Sequence, residues 1–175
     1  MNAAEQPGRV LIFTGDGKGK TTAALGLGLR AFGRGLGVCV VQFIKSRRDT
    51  GEVNAARALG ARFQIFPMGR GFVTKQGGTE PDRAMAAEAL GLARRKMSEC
   101  DVLVLDEINC SVKAGLLAVD DVLALLETRP KALHVVLTGR GAHPRLIAAA
   151  DTVTEINSIR HAHDSGTPAA PGIEC

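Results

Sequence analysis

The sequence predicts an α/β fold in three layers, with a mostly parallel sheet carrying helices on both faces. Three observations predict it. Apolar runs of strand length alternate with longer helical stretches along the whole chain. Most of those runs are nearly continuous in Val, Ile and Leu, as strands buried on both faces are. The first run also leads straight into a glycine-rich turn that opens a helix, Thr14-Gly15-Asp16-Gly17-Lys18-Gly19-Lys20-Thr21-Thr22.

In chain order, the strand-like runs are 10–13, 38–43, 63–66, 102–105, 134–137 and 152–156. Helical stretches are expected at about 20–34, 50–59, 81–98, 119–128 and 143–149. The helix after Thr79 carries start signals: Thr79 can cap, Pro81 suits the first turn, and Asp82 complements the helix dipole. Residues 119–126 alternate apolar and polar at helical spacing, and Arg129-Pro130 ends that helix. The segment after Ser165 reads as loop, expected to order over the active site or a partner.

At 175 residues, 1–175 is expected to form a single domain with a sizeable core. An apolar fraction of 45% with 23% charged residues is ordinary for a globular protein. No apolar run approaches the roughly 18 residues that span a membrane, and no signal pattern opens the chain, so a cytoplasmic protein is expected. The net charge of +4 suits an anionic ligand. Nucleic acid is not expected as a partner, because no dense Lys/Arg stripe appears and Trp and Tyr are absent. Cys39, Cys100, Cys110 and Cys175 form no C-x-x-C pair, which reads as reduced thiols without a zinc site.

The turn at 15–21 contains Gly-Lys-Thr after a strand and before a helix. Glycines at 15, 17 and 19 let several backbone N–H groups point at one anion, and the helix start adds its positive dipole end. Lys20 supplies a charge for phosphate oxygens and the Thr21 hydroxyl can ligate Mg²⁺. The common motif is G-x-x-x-x-G-K-[ST]. Here Thr14 stands where its first glycine would, so the loop is one residue short. The expected fold is therefore that of the P-loop NTPases (RecA-like), with a nucleoside triphosphate bound at the loop.

A second cluster of candidates lies at strand ends. The run 102–105 ends in Asp106 and Glu107, and in P-loop proteins such a strand aims a carboxylate at Mg²⁺. Strand alternation lets only one of the two point straight in. Arg140, in Thr138-Gly139-Arg140, ends another strand at the same edge and suits triphosphate oxygens. Lys45 follows the second strand and suits phosphate or substrate, whereas Arg47 and Arg48 read as solvated surface. Asp151 and Glu155 read as structural. His161 and His163 lack a third metal ligand at suitable spacing.

Taken in order, Gly15 to Ala24, Val41-Gln42-Phe43-Ile44-Lys45, Gly71-Phe72, Val104-Leu105-Asp106-Glu107, Thr138-Gly139-Arg140, Ala150 to Glu155 and Arg160 to His163 resemble the P-loop-type ATP:corrinoid adenosyltransferases of the cobalamin pathway (the cob(I)yrinic acid a,c-diamide adenosyltransferases). The resemblance covers nearly the whole chain, and the shortened loop and Gly172-Ile173-Glu174 are among its specific features. It implies that Co(I) of a corrinoid attacks the 5′ carbon of ATP and that triphosphate leaves, in cobalamin biosynthesis or salvage. It also implies a reversed nucleotide orientation in the loop. By matching positions, Gly15, Asp16, Gly17, Lys18, Gly19, Lys20, Thr21 and Thr22 should bind the triphosphate, with Arg30 and Arg140 as further nucleotide contacts. Thr21 and Glu107 should hold Mg²⁺ with Asp106 close by. Lys20, Thr21, Glu107 and Phe72 are the implied catalytic set, Phe72 lining the corrinoid face. A homodimer and an electron donor, either a reductase or a flavin, are implied as well. Many relatives carry a tryptophan after the Gly-Phe pair, where Val73-Thr74-Lys75 stands here. The alternatives from the motifs alone are a P-loop ATPase or small-molecule kinase, which would make ADP, and a nucleotide sensor without turnover.

Overall fold

The computed structural model describes residues 7–46, 49–71 and 78–173. Six strands form one sheet: β1 (Val10–Thr14), β2 (Val38–Gln42), β3 (Phe63–Pro67), β4 (Val102–Asp106), β5 (His134–Thr138) and β6 (Thr152–Glu155). Their order across the sheet is β3-β2-β4-β5-β1-β6 and each neighbouring pair is parallel. Between them run α1 (Lys20–Gly33), α2 (Gly51–Leu59), α3 (Glu80–Lys96), α4 (Ile108–Lys113), α5 (Val119–Thr128) and α6 (Pro144–Ala148). A 3-10 turn follows at Ala162–Ser165. No helix among the described residues is long and apolar enough to cross a membrane.

Strand alternation divides the core in two. Val38, Val40, Val102, Val104 and Val136 face α1 and α2, with Ala24, Ala56 and Phe63. Cys39, Val41, Leu103, Leu105, Val135 and Leu137 face the other way, onto α3, α4, α5 and α6 through Leu90, Ile108, Leu125 and Leu146. This is the expected three-layer architecture. Each large aliphatic side chain removed from water contributes about 1.5–3 kcal/mol, so the two layers together hold the strands in register.

The helix start at Thr79 follows the sequence signals. The Asp82 carboxylate accepts from the Thr79 N–H at 2.8 Å and from its hydroxyl at 2.7 Å. Those bonds, Thr79's hydroxyl first, hold the Asp82 carboxyl below its usual range. Asp151 is structural, as expected: its Oδ2 accepts from the Val10 N–H at 2.7 Å and so ties the start of β6 to β1.

Two features add to the expected picture. The run at 152–156 is the exception to the buried pattern: every residue of β6 is exposed, because β6 is the sheet edge next to β1 and lies beyond the two core layers. The six-residue helix α4 has no counterpart among the expected helices. It is too short to show a helical period, and its N-cap is Glu107 in a left-handed conformation rather than a recognisable capping residue.

Leu103, fully buried in β4, tests the α3 side of the core. Leu103→Ala should cost about 2–5 kcal/mol. Urea unfolding should show this as a lower midpoint with an unchanged slope.

Candidate functional site

Three strand ends and one helix start meet at the C-terminal edge of the sheet, where ligands of open parallel sheets bind. β4 ends in Asp106, β2 in Gln42 and β5 in Thr138. Gln42 and Asp106 are direct partners across the ladder, and Leu105 pairs with Leu137, which sets Thr138 beside Asp106. All three share the parity of Val40, Val104 and Val136, so their side chains point to the α1 layer. There α1 begins with Lys20 and Thr21.

Asp106 has no exposed surface. Its Oδ1 accepts from the Thr21 hydroxyl at 2.7 Å and from the Thr138 hydroxyl at 2.8 Å. Its Oδ2 accepts from the Gln42 amide at 3.2 Å and faces Lys45 Nζ at 3.5 Å. Lys45 in turn pairs with Glu52 of α2 at 3.1 Å. Burial on its own would lower the Lys45 pKa, but Asp106 and Glu52 outweigh it and hold the ammonium above its ordinary value.

Glu107 is the single non-glycine residue with positive φ among the described residues, at 65°. Its N–H donates to Thr138 Oγ1 at 2.9 Å. Thr138 thus accepts from Glu107 and donates to Asp106 with one hydroxyl, holding both acids. The left-handed turn swings the Glu107 side chain towards Lys20 and Cys110, where its charge acts on both. Burial lowers the Lys20 pKa and Glu107 opposes that shift. Burial, then Glu107, pushes the Cys110 thiol up to about 12.

The glycine-rich loop is shaped by the segment after β6. The Gly17 N–H donates to the Ile156 carbonyl at 2.7 Å, and the Ile156 N–H to Thr14 O at 2.9 Å. A Cβ on Gly15 would stand 2.4 Å from Ile156 O, and one on Gly17 would stand 2.7 Å from the Asn157 carbonyl carbon. Any side chain at either position collides with backbone. The Gly17 N–H is thus engaged with the chain itself. Gly19, at φ 118°, is the N-cap of α1. Lys20 is buried and its Nζ donates to Gly17 O at 2.6 Å, so the loop holds its own lysine.

Arg140 reaches over this loop. Its guanidinium donates to Asp16 O at 3.3 Å and lies 3.8 Å from the Asp16 carboxylate. Its backbone N–H donates to Cys110 Sγ at 3.1 Å. Lys18 Nζ donates to Ile173 O at 2.9 Å, so the C-terminal segment passes over the loop, as expected of it. Thr22 is exposed on the first turn of α1. Arg30 is not brought to this cluster: it is exposed in the last turn of α1, about 15 Å along the helix from Lys20 at 1.5 Å per residue. Phe72 lies outside the described residues.

The profile of the family described as ATP:corrinoid adenosyltransferase BtuR/CobO/CobP matches residues 6–175. The chain belongs to this family. The corrinoid adenosyltransferase of Pseudomonas aeruginosa is 42% identical over 174 residues, covering 98% of this chain and 86% of that protein. Corrinoid adenosyltransferase CobA of Salmonella typhimurium is 39% identical over 174 residues, covering 98% and 88%. Among solved structures, the flagellar accessory protein FlaH from Methanocaldococcus jannaschii superposes with a TM-score of 0.55 at 15% identity, over 86% of this chain and 72% of that one. That likeness is one of fold, and it agrees with the RecA-like P-loop architecture expected from the sequence. The family's activity is ATP-dependent adenosylation of corrinoids.

In this adenosyltransferase chain, Gln42 and Thr138 were not singled out from the sequence. Their signal is a polar residue closing an otherwise apolar strand, at the parity of Asp106. Thr138→Val would remove both hydroxyl bonds and leave the Glu107 N–H without its partner. It should cost about 1–3 kcal/mol of stability and weaken MgATP binding, whereas Thr138→Ser should keep both. Urea unfolding and an ATP titration on the two variants check this.

Proposed function

We propose that this chain transfers the 5′-deoxyadenosyl group of ATP to the Co(I) of a corrinoid and releases triphosphate. The observation that carries the reading is the link from Thr21 to the buried Asp106 at a shortened phosphate loop, in a chain of this family. In the reaction the cobalt–carbon bond forms as the C5′–O bond breaks, and the electron pair leaves on the triphosphate. Stabilising charge on that leaving group is therefore the protein's main task.

Lys20 is set for it. Its bond to Gly17 O holds the ammonium inside the loop, ready to exchange that carbonyl for phosphate oxygens. Gly15, Asp16, Lys18, Gly19 and Thr22 complete the triphosphate cradle, and Arg140 lies across it. Mg²⁺ fits the donor set, which is all oxygen: the Thr21 hydroxyl, the Glu107 carboxylate, and Asp106 behind Thr21. Bound there it would offset part of the triphosphate charge. The bond from Thr21 to Asp106 turns the hydroxyl proton inward and leaves the oxygen lone pairs facing the site.

The corrinoid would approach beyond the ends of β2 and β3. There Gly69 and Gly71 donate backbone N–H bonds to Lys45 O and Ile44 O at 2.9 and 2.8 Å, joining the two strand-end loops. Phe72 follows Gly71 in sequence and is proposed to supply the apolar wall under the ring. A homodimer acting in the cytoplasm, with a reductase or flavin as electron donor, completes the reading.

The test is anaerobic. Protein, MgATP and chemically reduced cob(I)alamin should give light-sensitive adenosylcobalamin and triphosphate in equal amounts. Lys20→Ala should slow this by roughly 10²–10³-fold, the loss seen when one charge-stabilising donor is removed. ADP as the product, with no cobalt–carbon bond, would instead support an ATPase or kinase.

A further inference from the structure

Cys39 and Cys100 meet at the end of the sheet opposite Asp106. Cys39 lies in β2 and is buried, and Cys100 is half-buried in the turn before β4. Their backbones run side by side. The Asp101 and Val102 N–H groups both donate to Gly37 O, at 2.9 and 3.0 Å. A Cβ placed on Gly37 would stand 3.7 Å from the Cys100 Cα. Cys100 Sγ donates to Lys96 O at 3.3 Å, and the two thiols lie near enough to shift each other's acidity. Both line a cavity of about 90 Å³ with Lys96, Glu99, Arg62 and Gln64. That volume admits a molecule of a few heavy atoms, since a water takes about 30 Å³.

We propose that Cys39 and Cys100 form an oxidisable thiol pair that closes to a disulfide when a small peroxide enters this cavity. Cys100 is the attacking sulfur because it is the more exposed of the two. The neighbouring Cys39 holds the Cys100 thiol below its usual range, while Cys100 and burial hold Cys39 above. The Lys96 ammonium, paired with Glu99, lines the same cavity. In the first step the Cys100 thiolate attacks one peroxide oxygen. The O–O bond breaks and hydroxide leaves, giving the sulfenic acid. In the second the Cys39 sulfur attacks the Cys100 sulfur. The S–S bond forms, the S–O bond breaks, and the hydroxyl leaves with the Cys39 proton as water. Two thiols and one hydrogen peroxide become a disulfide and two waters.

Cys110 provides an internal control. It stands in α4, at the edge of the sheet that carries Asp106 and away from the Cys39–Cys100 cavity. Peptide mass mapping of the full chain after brief treatment with hydrogen peroxide, with free thiols blocked in denaturant, reads the pair directly. The expected result is a non-reduced link between the Cys39 and Cys100 peptides with two hydrogens lost, and an unmodified Cys110. Cys39→Ser should leave Cys100 as a sulfenic acid that dimedone captures, and Cys100→Ser should abolish the link. A link through another cysteine would overturn the proposal. So would Cys100 driven to sulfinic acid in the unsubstituted chain with no link, or both thiols surviving intact.

Discussion

The site depends on the burial of one carboxylate. Asp106 has no contact with solvent, and an ionised group in that position is tolerated only when its oxygens are hydrogen-bonded and its charge is paired. Each of its partners comes from a different element: Thr21 from α1, Thr138 from β5, Gln42 from β2, and Lys45 from the loop after β2. Satisfying Asp106 therefore fixes the first turn of α1 against the strand ends. It also sets the Thr21 hydroxyl, the group proposed to meet a nucleotide-bound cation.

Glu107 takes the opposite position. The chain leaves β4 through a left-handed residue, and the strain of that conformation is offset by the Thr138 hydroxyl and the start of α4. The result is two adjacent acids with different surroundings. One is locked among donors behind Thr21, and the other is half-buried and faces Lys20. Strand alternation alone says that the two diverge; the Thr138 clamp decides where the second one goes.

The shortened phosphate loop is likewise shaped from outside itself. With one residue fewer than the common motif, it packs directly on the backbone at 156–157, and Gly15 and Gly17 leave no room for side chains there. β6 is exposed on both faces and adds little to the core, yet its continuation sets the conformation of the loop that holds Lys20.

The fold was legible because it rests on local signals. Apolar runs, their spacing and the Gly-Lys-Thr turn gave the three layers, the strand positions within a residue or two, and the edge at which the site lies. Lys20, Thr21, Asp106 and Glu107 were visible as residue types at strand ends and a helix start. The resemblance implied both Arg30 and Arg140 as nucleotide contacts, but the rise of α1 carries Arg30 away from the loop while the strand order brings Arg140 over it. Gln42 and Thr138 became partners of Asp106 only once the register of β2, β4 and β5 was known. The sequence by itself determined which residues could carry charge and chemistry and on which elements they stand. The tertiary structure alone decided which of them meet, because those contacts join residues 31 to 142 positions apart and are set by strand order, register and the packing of the helices between them.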